Sequence, residues 1–406
     1  MFMQWVLLPI SWLLGDLVFW YFFPARINKF GRESRATTLS QLLTHGLSGR
    51  AASAVRVLCA FVILICLAGY TSAQWLAGQK FLAGAFALPD WVALGLFALL
   101  IIVYSSIGGF RGSVYTDTLQ ALIRIIGTIV ALVAVVWFAM ADSAAFLRNM
   151  ASTEDGFLNL FPGGVAATAG FVAGFGAAAI GFGLGQPQII SRYLAGSSPE
   201  ETQSAWWIYI GFVQFTWIAM TVFGLVLRGV MPGITDPETG LSFFFQKNIG
   251  AVLTGLIVAD VFATIAATSN GLLVAMSQAV THDLLPRLCG RNSRVSLSVA
   301  TLVIGGITML VSVLIHGSVV SVVLSSVSLM GAGLAAAVMI KVMGWPHSAA
   351  SLLCAIIGGV ASAVLWRQFG MSGHFNEAGV GMMVGLVANF GIAQTEANLK
   401  TKTYPV

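Results

Sequence analysis

The sequence predicts an all-α polytopic membrane protein of about eleven transmembrane helices, N-terminus out and C-terminus in, on three observations. Of its 406 residues, 58% are hydrophobic and 9% charged, where an ordinary soluble domain carries about 25% charge. Eleven stretches are apolar over the ~20 residues a helix needs to cross the hydrocarbon core: 3–23, 51–84, 90–110, 114–140, 164–189, 205–230, 248–283, 295–316, 318–343, 350–367 and 378–395. With the N-terminus outside, fourteen of the twenty Lys and Arg fall in cytoplasmic segments, from Arg26 and Lys29 to Lys400 and Lys402, and five fall outside. The positive-inside rule selects that orientation.

Taken in order, the first span has no basic leader and its apolar run is interrupted by Asp16, so it reads as a membrane helix and not as a cleavable signal peptide. The longest polar stretch, Ala25 to Arg50, reads as a cytoplasmic loop. Three spans exceed the minimum length and must tilt, kink or run past the bilayer. No Pro/Ser-rich linker or soluble insertion separates the spans, so one transmembrane domain over 1–406 is expected. The 45 glycines suit helices that pack closely in lipid.

On the fourth span Asp117, Gln120, Arg124 and Thr128 recur at offsets that confine them to a stripe of about 80°, a polar seam that cannot face lipid. The fifth span ends Gly181-Phe182-Gly183-Leu184-Gly185-Gln186-Pro187-Gln188. Alternate glycines and a proline oppose a continuous helix. Either the helix breaks there to line a cavity, or it ends at the cytoplasmic surface.

On the seventh span Asp260, Thr264, Ala267, Thr268 and Gly271 share a face of about 100°. Its oxygens suit a hard cation, and its carboxylate, buried in a low dielectric, could hold a proton instead. Arg124 and Asp260 stand out most clearly among the ionisable groups of the spans, which also include Asp16 and Asp117. They either neutralise each other across two packed helices or take part in coupling a cation to transport.

The remaining chemistry-bearing residues exclude other classes. Cys59, Cys66, Cys289 and Cys354 lie in or beside apolar stretches and read mostly as small core residues. The histidines, His316 among them, are scattered without metal-ligand spacing. A net charge of +5 gives no case for a nucleic-acid partner. The spans hold no nucleophile and base pair, so an enzyme is not expected.

Several strings resemble the sodium:solute symporter family, which includes proline and sugar symporters. Gly108-Gly109-Phe110 with Tyr115-Thr116-Asp117 and Gln120 is similar to the family's GG…[WY]TDxxQ signature. Gln186-Pro187, Ile189-Ile190 and Arg192 resemble its GQPxxIxR segment, and Ala267-Thr268-Ser269-Asn270 through Thr281-His282-Asp283 its STADS…TxD segment. Thr38-Leu39, Tyr70 and Gln74 extend the match.

The resemblance implies a LeuT-type bundle of two inverted five-helix repeats with the solute and ion near the midplane. It implies a place in the bacterial inner membrane, and Na+, a proton or no ion as the coupling partner. Asp117, Thr264 and Thr268 then belong to the cation route, and Ala179, Gly183, Gln186 and Pro187 to the solute pocket. Ala267 replaces one hydroxyl of the family's Ser-Thr pair. Arg124 stands on the helix from which a fixed cation occupies the sodium site in some sodium-independent transporters of this fold. The family's leading helix and its broken first core helix have no counterpart here, and would lie upstream of Met1 or come from a separate chain. Two functions follow as expectations: a secondary active transporter of a small polar solute, or a transporter-derived membrane sensor or scaffold that binds without transport.

Overall fold

A computed structural model describes residues 6–153, 157, 159–161, 163–285, 293–315 and 318–403, with 293, 294 and 397–403 described by backbone alone. Cys289, His316 and the start of the 3–23 span lie outside these residues. The chain forms α1 (Leu7–Phe22), α2 (Pro24–Ser34), α3 (Leu39–Thr44), α4 (Gly49–Phe86), α5 (Asp90–Ala141), α6 (Ser143–Ala151), α7 (Gly164–Gly185), α8 (Pro187–Leu194) and α9 (Pro199–Ser204). There follow α10 (Trp206–Val230), α11 (Gly240–Asn248), α12 (Ala251–Gln278), α13 (Ser293–Leu314), α14 (Val319–Met330), α15 (Ala336–Val342), α16 (Ala349–Gln368) and α17 (Glu377–Thr403). π-helical turns at Ala279–Leu284 and Gly331–Ala335 prolong α12 and join α14 to α15.

Among the described residues nine helices are long and apolar enough to cross a membrane, and the pair α1 and α2, bent by 41°, makes a tenth. With 52 residues, α5 is about 78 Å long at 1.5 Å per residue, more than twice the ~30 Å hydrocarbon core. Gly109, at φ 53° and ψ −154°, breaks it into two spans in a backbone region that glycine alone enters at low cost. Counting those halves separately gives eleven crossing segments among the described residues. The second half resumes directly after Gly109, with no loop over 110–114.

The polar stretch 25–50, expected as a loop, is instead largely helical. Its α2 buries Ile27 and Asn28, and the Asn28 amide donates to the carbonyls of Tyr193 and Gly196 at 2.9 and 2.8 Å. An amphipathic helix this short carries no membrane-length apolar run, which is why hydropathy alone misses it. The fifth span stops at Gly185, short of 189, because Gln186 is extended (φ −89°, ψ 112°) and Pro187 opens α8. Proline cannot donate the hydrogen bond that would continue α7, yet is favoured at a first helical position.

Small residues set the closest crossings, as expected where helices pack in lipid. At Gly15 of α1 a Cβ would stand 2.1 Å from the Gly176 carbonyl of α7, and at Gly185 one would stand 2.9 Å from Gly331 Cα. Of the membrane-length helices among the described residues, the segment Val319–Val342 is the most enclosed, with 72% of its most apolar stretch buried against 22% for α5. The main core gathers Phe19, Trp75, Phe97, Leu272 and Leu334. A second cluster joins Val135, Phe223, Phe244 and Ile257. Cys354 of α16 is exposed on the bundle surface, unlike Cys59 and Cys66, which are buried.

Candidate functional site

The two polar seams meet where the second half of α5 packs along α12. Arg124 Nη1 lies 3.5 and 3.4 Å from the Asp260 carboxylate oxygens, with side-chain exposures of 21% and 1%. Gly127, one turn beyond Arg124, makes this approach possible: a Cβ there would stand 2.4 Å from Asp260 Oδ2. Sequence reasoning missed Gly127, although its place on the Arg124 face was legible.

Thr264 and Thr268 follow Asp260 along α12. The Thr264 hydroxyl donates to the Asp260 carbonyl at 2.9 Å and lies 3.5 Å from the carboxylate, and that of Thr268 donates to the Thr264 carbonyl at 3.1 Å. Each hydroxyl hydrogen is thus committed to backbone, and the oxygens keep lone pairs for a ligand. Half-buried Ala267 beside them offers no side-chain oxygen.

Asp117 sits farther toward Gly109 and forms an ion pair with Arg192 of α8. Arg192 also donates to Gln188 O at 2.6 Å and to Ser113 Oγ at 3.3 Å. Gly271 leaves room for the guanidinium, 3.7 Å from where its Cβ would be. The break before Pro187 therefore turns α8 so that Arg192 reaches α5.

Beside this pair lies a mostly apolar cavity of about 240 Å³ lined by Tyr104, Ile107, Gly108, Gly112, Ser113, Thr116 and Asn270. The Tyr104 hydroxyl donates to the Ala266 carbonyl at 2.9 Å. Buried Asp117 Oδ1, Gln120 Oε1, Gln188 Oε1 and Asn270 Oδ1 accept no hydrogen bond from the protein. Acceptors without donors suit a hard cation or a solute rich in N–H and O–H groups. Tyr104 was not foreseen, and its only signal is its position five residues before the Gly109 break.

Gln186 is fully buried at the α7–α8 break, where its Oε1 accepts from Gln188 Nε2 at 2.8 Å and its Nε2 has no partner. Pro187 adjoins it. Ala179 and Gly183 instead face α1: Ala179 packs with Trp12, and a Cβ at Gly183 would meet Phe19 at 2.5 Å. The structure brings Asp260, Thr264, Thr268 and Arg124 together, sets Asp117 and Gln186 around α8, and leaves Ala179 and Gly183 on α1.

A second cavity, about 460 Å³, opens between α4, α11, α12 and α14 and includes Lys80, Gln246 and Ile265. Lys80 Nζ lies 2.5 Å from Glu238 and 3.3 Å from Asp236, while Glu238 also accepts from the Val319 backbone at 2.9 Å. Glu238 therefore ties α4 to the start of α14. Sequence spacing gave no sign of this, since the three residues are far apart in the chain.

A helical bundle with interrupted helices and buried, unpartnered polar oxygens beside the breaks has the architecture of a membrane transporter. Residues 2–359 match the model of the sodium:solute symporter family, and the chain belongs to that family. It is 23% identical over 407 residues to the high-affinity proline transporter PutP of Bacillus subtilis, covering 96% of this chain and 83% of the relative. It is also 23% identical over 335 residues to the osmoregulated proline transporter OpuE of the same organism, covering 79% and 66%. The fold is similar to that of a Na+-coupled sialic acid symporter in its substrate-bound, outward-open state, with TM-score 0.73, 19% identity, and coverage of 97% of this chain and 86% of that one. The fold is therefore LeuT-type, and the chain is a multi-pass secondary active transporter, not an enzyme.

Proposed function

We propose that this transporter moves a small polar solute by alternating access in a bacterial inner membrane, N-terminus outside, with Arg124 taking the place of a coupling cation beside Asp260. The observation that carries this reading is the Arg124–Asp260 ion pair, one turn from Thr264 on the same face of α12. A fixed guanidinium there repels a mobile cation and neutralises the carboxylate that would attract one. Ala267 supports the same reading, because it withholds an oxygen that a Na+ ligand set would use. The unpartnered oxygens of Asp117, Gln120 and Asn270, of which Asn270 lines the Tyr104 cavity, provide acceptors for the donor groups of a polar solute. Opening and closing is assigned to the Arg192–Asp117 pair at α8 and to the Glu238 tie at α14.

A second reading, Na+ coupling, is favoured by the family and by the remaining oxygens of Asp117, Thr264 and Thr268. Binding and uptake by the chain in liposomes separate the two, with L-proline as first probe and a panel of amino acids, sugars, carboxylates and osmolytes beside it. The expected result is saturable uptake whose apparent affinity is unchanged when choline replaces Na+, and which Asp117→Ala weakens. Accumulation driven by a Na+ gradient would remove Arg124 from the cation's place and establish the second reading. Saturable binding without uptake under any gradient would overturn transport itself and leave a membrane sensor or scaffold.

A further inference from the structure

Asp16 has no place in the seams described above. It lies in the middle of α1, is 2% exposed, and its Oδ2 has no hydrogen-bond partner. No ion pair reaches it among the described residues. Its helix neighbours Trp12 and Trp20 are themselves buried, and the Trp20 ring packs on Tyr193 of α8 at 5.6 Å and Tyr209 of α10 at 5.3 Å. Those two tyrosines are its electrostatic neighbours from α8 and α10.

From α7 the facing residues at this crossing are Gly176 and Ala179, which carry no ionisable group. Among the described residues no charged group on the adjoining elements is ion-paired with Asp16, the exposed Lys29 of α2 included. Arg192 of α8 is paired with Asp117, and Arg26 of α2 donates to the Phe22 carbonyl and contacts Met343. The close approach of Gly15 to Gly176 leaves little room for a hydrated counter-ion beside α1.

An uncompensated carboxylate in such surroundings costs several kcal/mol, and a single proton removes that cost without needing a cavity. The same carboxylate regains water if α1 separates from α8 and α10, the elements flanking the broken helix that alternating access must move.

We propose that Asp16 is a proton-carrying site: its carboxyl is neutral while α1 is packed as here, and ionises, releasing H+ to water, when that packing opens. The inference rests on the transporter reading only for the opening step. The proton itself comes from and returns to water, so no other reactant is required.

Infrared spectroscopy on the purified chain in lipid nanodiscs tests it without any solute. At neutral pH the C=O absorption of a protonated carboxylic acid is expected, lost in Asp16→Asn, retained at a shifted position in Asp16→Glu, and unchanged in Asp117→Asn. Should Asp16→Asn fail to fold, isotope labelling of aspartate in the unaltered chain, with Asp16→Glu as the comparison, assigns the band. Absence of the band at neutral pH, or its persistence at full intensity in folded Asp16→Asn, would overturn the proposal while leaving transport standing. In liposomes that take up L-proline, an inward gradient of one pH unit is expected to give about tenfold accumulation for one proton per uncharged solute. Asp16→Asn should reduce that ratio to one while leaving exchange intact, and equal accumulation by both chains would also overturn it. If no probe is transported but the Asp16 band is present, the transport reading fails and the protonation stands.

Discussion

Arg124 and Asp260 show how one contact decides the character of a membrane site. Each alone is expensive among apolar helices, and Gly127 lets the two helices close far enough for them to meet. Removing one partner leaves a buried charge unpaired, so Arg124→Ala or Asp260→Ala should each lower stability by about 3 to 5 kcal/mol. Replacing both with apolar residues of similar volume should recover much of that loss. Denaturant unfolding in detergent micelles measures it, and additive losses in the double variant would show that the two residues do not act as a pair. The contrast with Lys80 and Glu238 is one of exposure: there the lysine is 37% exposed, and an open pair contributes about 0 to 1 kcal/mol. Breaking it therefore costs little, as suits a tie between α4 and α14 that opens and closes.

The helices are informative where they stop. Gly109 divides α5, Pro187 separates α8 from α7, and both interruptions place polar side chains, Ser113 and Arg192, beside the same cavity. A connection of another kind joins α15 to α16. There His347 Nδ1 is 2.7 Å from the Trp345 carbonyl and its Nε2 is 2.9 Å from Lys341 Nζ, which also donates to the His45 carbonyl at 2.6 Å.

Burial pushes the His347 imidazole below its ordinary value of 6.5, and Lys341 pushes it the same way, against the Trp345 hydrogen bond. The folded state therefore prefers neutral His347, which accepts from Lys341. Below pH 6.5 the unfolded chain binds the proton more readily, so this contribution is present at higher pH and lost as pH falls through that value toward the depressed folded one. Unfolding temperatures between pH 8 and pH 5 should fall more steeply for the unaltered chain than for His347→Gln, whose amide oxygen can still accept from Lys341. Identical slopes would remove His347 from the pH dependence.

Across the whole bundle, stability should be unevenly distributed, because enclosure is. The α14, π-turn and α15 segment is surrounded by α7, α16 and α17, whereas the two halves of α5 present exposed apolar residues such as Ile107, Tyr115 and Leu119. Native-state hydrogen exchange in nanodiscs should accordingly find the amides of Gly331 to Ile340 among the last to exchange and those from Gly109 to Thr116 among the first. The reverse order would mean that the Gly109 break is rigid and that the centre of the bundle opens. The mobile half of the molecule, on this expectation, is the half that carries Asp117, Arg124 and their partners.

What the sequence determined by itself was set by local physics. Apolar runs of membrane length, Lys and Arg placement, and the angular spacing of Asp117 to Thr128 and of Asp260 to Gly271 depend only on neighbours along the chain, as does the halt at Gln186-Pro187. They were enough for the bundle, for a halt at Gln186-Pro187 and for the two polar faces, and the motif strings were enough for the family, while the continuation past that halt as α8 came from the structure. The tertiary structure alone decided which faces meet. It joined Arg192 to Asp117, Lys80 to Glu238, and Tyr104 to Ala266, turned Ala179 and Gly183 onto α1, and made helices of 25–50 by giving Ile27 and Asn28 something to bury against. Those outcomes depend on contacts between residues far apart in sequence, where no periodicity reports the partner, and on glycines such as Gly15 and Gly127 whose meaning is the atom that stands where a side chain would be.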